Sequence, residues 1–177
     1  GELTLKEALA GSINVISAYL IDKVTPANVV RLAQSAGIES KIPEAPSIAL
    51  GSVELSLMEM TSAYATFANK GLRVEPNMLA RIEDKNGRII YTGIPKRNTA
   101  INPLYNAVMV DMLRNNVGGK YGMGLKSRVG GKTGTTNDSK DSWFAGFSNE
   151  HLGVVWVGRD DNQTAKISGS TAALPVF

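Results

Sequence analysis

The sequence predicts an α+β protein in which helices pack on an antiparallel sheet. Two observations indicate this class. Capped segments with apolar residues at helical spacing occur up to Leu113, whereas two runs rich in aromatic and β-branched residues follow at 142–148 and 152–158. With 177 residues, of which 43% are apolar and 20% are charged, the chain is long enough for one packed domain or a large piece of one.

Three short helices are predicted in the first 37 residues. Thr4 and Glu7 form a capping box that begins the first helix, and the run Gly11-Ser12-Ile13-Asn14 interrupts it with residues that prefer turns and caps. Asn14, the last residue of this run, is expected to cap the second helix. Thr25-Pro26 opens a third helix, which Gly37 closes.

The middle of the chain is predicted to contain a loop, two further helices and a hairpin. Residues 39–55 include two prolines and Gly51 and form the loop, and Ser56 begins a fourth helix that stops at Gly71. Asn86-Gly87 lies between alternating segments, which indicates a β-hairpin over 78–91. Asn102-Pro103 opens a fifth helix with an apolar face of Leu104, Val108, Met112 and Leu113.

The two strand-like runs are separated by the polar turn Asn149-Glu150. Their large aromatic residues are predicted to lie in the core of the sheet: Trp143, Phe144 and Trp156.

The composition excludes several classes of site. The chain has no cysteine, so disulfides, thiolate metal ligands and a thiol nucleophile are excluded, and its single histidine, His151, is expected to be a surface residue. The net charge is only +3 and the basic residues are scattered, which argues against nucleic acid as a partner. No metal site is expected.

The sharpest local feature is the run Gly131-Lys132-Thr133-Gly134-Thr135-Thr136. A phosphate-binding P-loop would need glycine at position 126 and a following helix, but that position is Lys and strands follow. The same residues suit a strand that borders an acyl-transfer cleft. Glycine lets a substrate backbone approach, threonine hydroxyls hold a carboxylate, and lysine supplies charge or a proton. An ordinary glycine-rich strand entry is the alternative.

Combination with a second motif favours the acyl-transfer interpretation. Ser12-Ile13-Asn14 supplies the Ser-x-Asn element that accompanies Lys-Thr-Gly in penicillin-binding proteins and class A β-lactamases. Four longer runs resemble the transpeptidase domain of bifunctional, class A penicillin-binding proteins: LTLKEALAGSINV, LSLMEMTSAYATFANKG, KTGTTNDSKDSWFAGFS and VVWVGRDDN. The resemblance implies the β-lactamase/transpeptidase-like fold, truncated so that only the later strands of the sheet are present.

The third motif of that family, Ser-x-x-Lys, is missing, because no serine of the 177 residues is followed three positions later by lysine. In this family the nucleophile motif lies upstream of Ser-x-Asn. We therefore expect residues 1–177 to be a single partial domain, the C-terminal portion of a penicillin-binding transpeptidase domain, and to be inactive alone.

The resemblance also implies a role for each site residue. Lys132 and Ser12 pass a proton to the departing D-alanine, and Asn14 orients the substrate peptide. Thr133 and Thr135 grip the terminal carboxylate, and the Thr135 N–H forms half of an oxyanion hole. Gly134 separates the two threonines in the substrate-binding set. Simpler interpretations remain open: Ser12 and Asn14 as helix caps, the threonines as β-formers, and Lys132 as a solvated charge.

For the intact parent, the resemblance implies cross-linking of peptidoglycan stem peptides through a serine acyl-enzyme, inhibition by β-lactams, and no cofactor. It also implies a membrane-anchored parent that works outside the cytoplasmic membrane. A noncatalytic ligand-binding or sensor module, or a β-lactamase, would share the same fold. Truncation is expected to expose apolar surface, so the fragment is predicted to self-associate.

Overall fold

The computed structural model describes residues 2–120 and 128–177. The helices are α1 (Leu5–Gly11), α2 (Asn14–Val24), α3 (Pro26–Ala36), α4 (Leu57–Ala68), α5 (Pro103–Lys120) and α6 (Leu174–Val176). The strands are β1 (Leu72–Val74), β2 (Arg81–Glu83), β3 (Ile89–Thr92), β4 (Arg97–Thr99), β5 (Gly130–Thr135), β6 (Ser142–Phe147) and β7 (Leu152–Val157). Short 3₁₀-helices span Pro46–Leu50 and Asn137–Ser139, and a π-helical turn spans Gly169–Ala173. Within the described ranges, no helix is both long and apolar enough to cross a bilayer.

The helix ends follow the local signals closely. The predicted capping box forms at Thr4–Glu7, another forms at Ser56–Glu59, and Gly37 ends α3 in the left-handed region with φ 117°. The prediction that Asn14 caps α2 is wrong, because Ile13 occupies the cap and Asn14 is the first helical residue. The polar break between α1 and α2 is nevertheless present.

The described part of the chain forms three antiparallel sheets, and the largest of them has the strand order β5-β6-β7. In this sheet Lys132 pairs with Ala145, and Thr135 pairs with Ser142. The predicted hairpin is present as β2 and β3, with Gly87 at φ 80° in its turn. Strands β1 and β4 pair with each other and were not predicted from the sequence. The predicted loop at 39–55 contains the first 3₁₀-helix.

The main core lies against the face of the large sheet that carries Phe144, which is fully buried. The π-helical turn Gly169–Ala173 and α6 together form the C-terminal helical segment. Four residues from α5, from the entry to β5 and from this segment pack around Phe144: Val117, Val129, Ala173 and Leu174. The prediction that both tryptophans are core residues is wrong. Trp143 is half-buried and Trp156 is 37% exposed, because the indole N–H of Trp156 donates to Asp141 at 2.9 Å instead of entering an apolar core.

Helix α5 connects the N-terminal helices to the large sheet, because it packs on both α1 and β5. Of its predicted apolar face, Leu113 is buried but Leu104 and Val108 are 76% and 61% exposed. The buried stripe instead contains Asn106 and Asn116 beside Leu113 and Val117. Two buried amides within this stripe explain why apolar spacing alone predicted the buried face only in part.

Candidate active site

Ser12 lies at the C-terminal end of α1 in a conformation that is uncommon for serine. Its φ and ψ are 52° and 49°, in the left-handed region, and the following N–H of Ile13 donates to the carbonyl of Ala8 at 3.1 Å. A residue other than glycine pays a conformational cost there. The turn ends α1 abruptly and leaves Ser12 exposed between two helices.

Lys132 and Ser12 are in direct contact although 120 positions separate them in the chain. The Lys132 ammonium donates to Ser12 Oγ at 2.5 Å and to the Thr133 carbonyl at 3.0 Å. By strand alternation, Lys132 lies on the face of the sheet opposite Phe144. The helix break and the Lys-Thr-Gly strand therefore meet, as the sequence motifs require for a shared site.

Asn14 occupies the first position of α2, two residues after Ser12, and its side chain is exposed. The structure thus brings Ser12 and Lys132 into contact and gives Asn14 a neighbouring, solvent-accessible position. The role that the resemblance implies for Asn14 stays a prediction.

Among the residues that the structure describes, β5 is the edge strand of its sheet, so one side of its backbone faces away from the other strands. On the side away from β6, the Gly131 carbonyl accepts from Asn116 Nδ2 at 2.5 Å and the Thr133 carbonyl accepts from the Lys132 ammonium. On the side of β6, the Thr136 N–H donates to the Asp141 carbonyl. Because backbone groups alternate along an antiparallel strand, those of Thr135 point to the open edge, as those of Gly131 and Thr133 do. An oxyanion donor would need this direction.

The Lys-Thr-Gly residues differ in how much solvent they contact. Thr133 and Gly134 are half-buried, and Thr135 is exposed. A methyl group on Gly134 would lie 3.2 Å from Trp143 Cβ, so glycine keeps that face of the strand closely packed on β6. The Thr135 hydroxyl accepts the N–H of Gly169 at 2.9 Å.

A compact hydrogen-bond network holds the end of β5 beyond Thr135. Thr136 Oγ1 donates to Asp141 Oδ2 at 2.9 Å, and Asp141 Oδ1 accepts the indole N–H of Trp156. This network links the β5–β6 turn to β7 and so restrains the strand that carries the candidate site.

Two residues next to the site were missed by the sequence analysis. Asn116 is fully buried on α5, and its side chain holds the carbonyl immediately before Lys132. Its only sequence signal is a polar residue at a core position of the helix. Gly169 lies in the small, polar C-terminal stretch, and no local pattern connects it with Thr135.

Across 2–120 and 128–177, no group of three or more His, Asp or Glu side chains is arranged to hold a cation. The chemical groups at the site are one ammonium, hydroxyls, an amide and backbone N–H groups, which suit proton transfer and the binding of a carboxylate.

Comparison with known proteins identifies the family. The model of the penicillin-binding protein transpeptidase domain matches residues 1–177. Penicillin-binding protein 1A of Aquifex aeolicus (strain VF5) is 37% identical over 100% of this chain and 25% of its own length, and penicillin-binding protein 1B of Vibrio cholerae is 32% identical over 100% and 24%. The chain thus spans about a quarter of the length of these relatives.

Solved structures show the same fold. Penicillin-binding protein 1A from Haemophilus influenzae matches with a TM-score of 0.85 at 24% identity, over 96% of this chain and 32% of that one. Penicillin-binding protein PonA1 from Mycobacterium tuberculosis matches with a TM-score of 0.84 at 26% identity, over 96% and 53%. The predicted α+β transpeptidase fold is confirmed, and the chain belongs to the family of penicillin-binding protein transpeptidase domains.

Proposed function

We propose that residues 1–177 are the C-terminal portion of a serine D,D-transpeptidase domain, whose intact parent cross-links peptidoglycan by acyl transfer. The contact between the Lys132 ammonium and Ser12 Oγ at the open edge of β5 carries this proposal. Proton transfer between lysine and serine suits an acyl-transfer cleft, and membership in the transpeptidase-domain family supports this reaction class.

Each group has a defined task in this mechanism. Because Lys132 donates to Ser12 Oγ, the hydroxyl proton of Ser12 is directed elsewhere, toward the amine of the departing D-alanine. When Ser12 releases that proton, Lys132 returns one to its oxygen. Asn14 orients the substrate peptide, Thr133 and Thr135 bind its terminal carboxylate, and the outward Thr135 N–H stabilises the developing oxyanion.

The nucleophile is the part that this sequence lacks, since none of its serines begins a Ser-x-x-Lys motif. We place the nucleophile and its lysine on residues upstream of Gly1. Without them the remaining groups can bind and polarise a substrate but cannot form an ester.

The experiment is labelling with a fluorescent penicillin, read on a denaturing gel. Residues 1–177 alone should stay unlabelled, and a chain extended upstream to include a Ser-x-x-Lys segment should label. In the extended chain, Lys132→Met should slow labelling about 100-fold or more, and Lys166→Met, an exposed control, should not. Covalent labelling of residues 1–177 alone would show that another residue is the nucleophile.

Ligands and location follow from the reaction. The substrates are peptidoglycan stem peptides, and β-lactams acylate the same serine as substrate mimics. Peptidoglycan lies outside the cytoplasmic membrane, so the parent works there and is held by a membrane anchor. The reaction needs neither metal nor organic cofactor, because acyl transfer to serine uses only protein groups.

A noncatalytic ligand-binding or sensor module is the second candidate, and the missing Ser-x-x-Lys motif favours it. Such a protein would bind β-lactams reversibly at the same cleft. Absence of covalent label on the upstream-extended chain, together with reversible binding, would support this module over the enzyme.

A further inference from the structure

The C-terminal helical segment packs against β5 and β6 and contacts Thr135, a side chain proposed to bind substrate. The N–H of Gly169 donates to Thr135 Oγ1 at 2.9 Å, and Gly169 is buried. These two residues are 34 positions apart and belong to different elements. The contact is therefore a tertiary feature of the site.

Gly169 fits closely between β5 and β6. A Cβ atom at this position would lie 2.6 Å from the Trp143 carbonyl oxygen, 2.7 Å from the Gly134 carbonyl oxygen and 2.8 Å from Thr133 Cβ. Two of these neighbours are backbone atoms, which cannot swing aside as a flexible side chain would. Only glycine lets the segment approach closely enough for its N–H to reach Thr135.

A buried serine holds the segment in this place. Ser142, which is fully buried and pairs with Thr135 across the strands, accepts the N–H of Ala173 at 3.0 Å and donates to the carbonyl of Ser168 at 2.7 Å. Both ends of the π-helical turn are thus bound to one hydroxyl. Gly169 lies between these two anchor points, so the position of its N–H is restrained.

A threonine hydroxyl has one proton to donate and two lone pairs that accept. When the Gly169 N–H occupies one lone pair, the Thr135 proton avoids that direction, and the polarised hydroxyl becomes a stronger donor. Thr135 lies at the exposed end of the edge strand, where a bound substrate would place its carboxylate. A carboxylate accepts that proton, whereas a carboxamide also presents an NH₂ group that cannot accept it.

We propose that Gly169 is a positioning residue, which through its N–H orients the Thr135 hydroxyl to donate to a ligand carboxylate and so favours carboxylate over carboxamide ligands. This role rests on the proposed function, in which Thr135 binds the terminal carboxylate of the substrate.

The test compares two probes, an acyl-D-alanyl-D-alanine peptide that ends in a carboxylate and the same peptide ending in a carboxamide, by NMR titration of the 177-residue chain. The wild type should bind the carboxylate more tightly. The preference is the Kd of the carboxamide peptide divided by the Kd of the carboxylate peptide. Gly169→Ala should reduce this ratio about tenfold. Ser142→Ala, which removes the anchor without adding bulk, should also reduce it. Val176→Ala, at a residue that is 70% exposed on α6, should leave the ratio unchanged.

Hydrogen exchange of the Gly169 amide provides a readout that needs no ligand. Thr135→Val should speed this exchange and Thr135→Ser should preserve the protection, because serine keeps the accepting oxygen. Unchanged exchange in Thr135→Val overturns the proposal whatever the binding data. If the preference for the carboxylate peptide is as large in Gly169→Ala and Ser142→Ala as in the wild type, the positioning role of Gly169 is overturned. If the wild type itself does not prefer the carboxylate peptide, the proposed binding of the substrate carboxylate is overturned, and the positioning role with it.

Discussion

Replacement of Glu59 by glutamine should make the chain less stable at neutral pH and should remove part of the pH dependence of its stability. The Glu59 carboxylate closes the capping box of α4 by accepting the N–H and hydroxyl of Ser56 at 3.0 and 2.8 Å. Its other oxygen accepts the N–H groups of Glu39 and Ser40 at 3.0 and 2.6 Å. One carboxylate thus fastens the segment after α3 to the start of α4.

These hydrogen bonds, above all those from Ser56 and then those from Ser40, lower the pKa of Glu59 from 4.5 to about 2. The folded state therefore prefers the ionised carboxylate more than the unfolded state does. This contribution is fully present above pH 4.5 and is lost as the pH falls toward 2. A pKa difference of this size corresponds to about 3 kcal/mol in full, and solvent screening of a carboxylate near the surface reduces it to about 1–2 kcal/mol.

Urea unfolding followed by circular dichroism at pH 7 and pH 3 measures this effect. Glu59→Gln should lower the free energy of unfolding by about 1–2 kcal/mol at pH 7, and the difference from wild type should narrow at pH 3. Glu54→Gln, at an exposed residue shortly before α4, is the matched control. An equal loss at both pH values, or a loss no larger than that of Glu54→Gln, would refute the role of the ionised carboxylate.

Three further predictions concern the core, the site strand and the surface. Phe144→Ala should lower the free energy of unfolding by about 3–5 kcal/mol, and Phe177→Ala, at a residue that is 40% exposed, should cost clearly less in the same urea titration. Asn116→Ala should cost about 1–3 kcal/mol, because it leaves the Gly131 carbonyl without its donor, and a neutral result in thermal unfolding would contradict this. The chain should self-associate through exposed apolar residues, among them Ile90, which is 67% exposed, and Ile94, which is 85% exposed. A monomeric mass that does not change with protein concentration in light scattering would disprove this.

Local signals predicted much of the secondary structure because their energetics are local. A capping box needs only residues three positions apart, as at Thr4–Glu7, and a hairpin turn needs only residues such as Asn86-Gly87 that suit its backbone. Strands β1 and β4 were missed because each has only three residues and is stabilised by its partner across the chain, a contact that no local pattern encodes.

The family, the two site motifs and the ends of most helices could be predicted from residue types at short spacing. Which side chains meet depends on how distant segments pack, and this became visible only in the folded chain. The contact of Ser12 with Lys132 and that of Gly169 with Thr135 depend on how α1, the sheet and the C-terminal segment pack. Packing also decided the buried faces, because Asn116 enters the core to satisfy a strand carbonyl while Trp156 stays at the surface, bonded to Asp141.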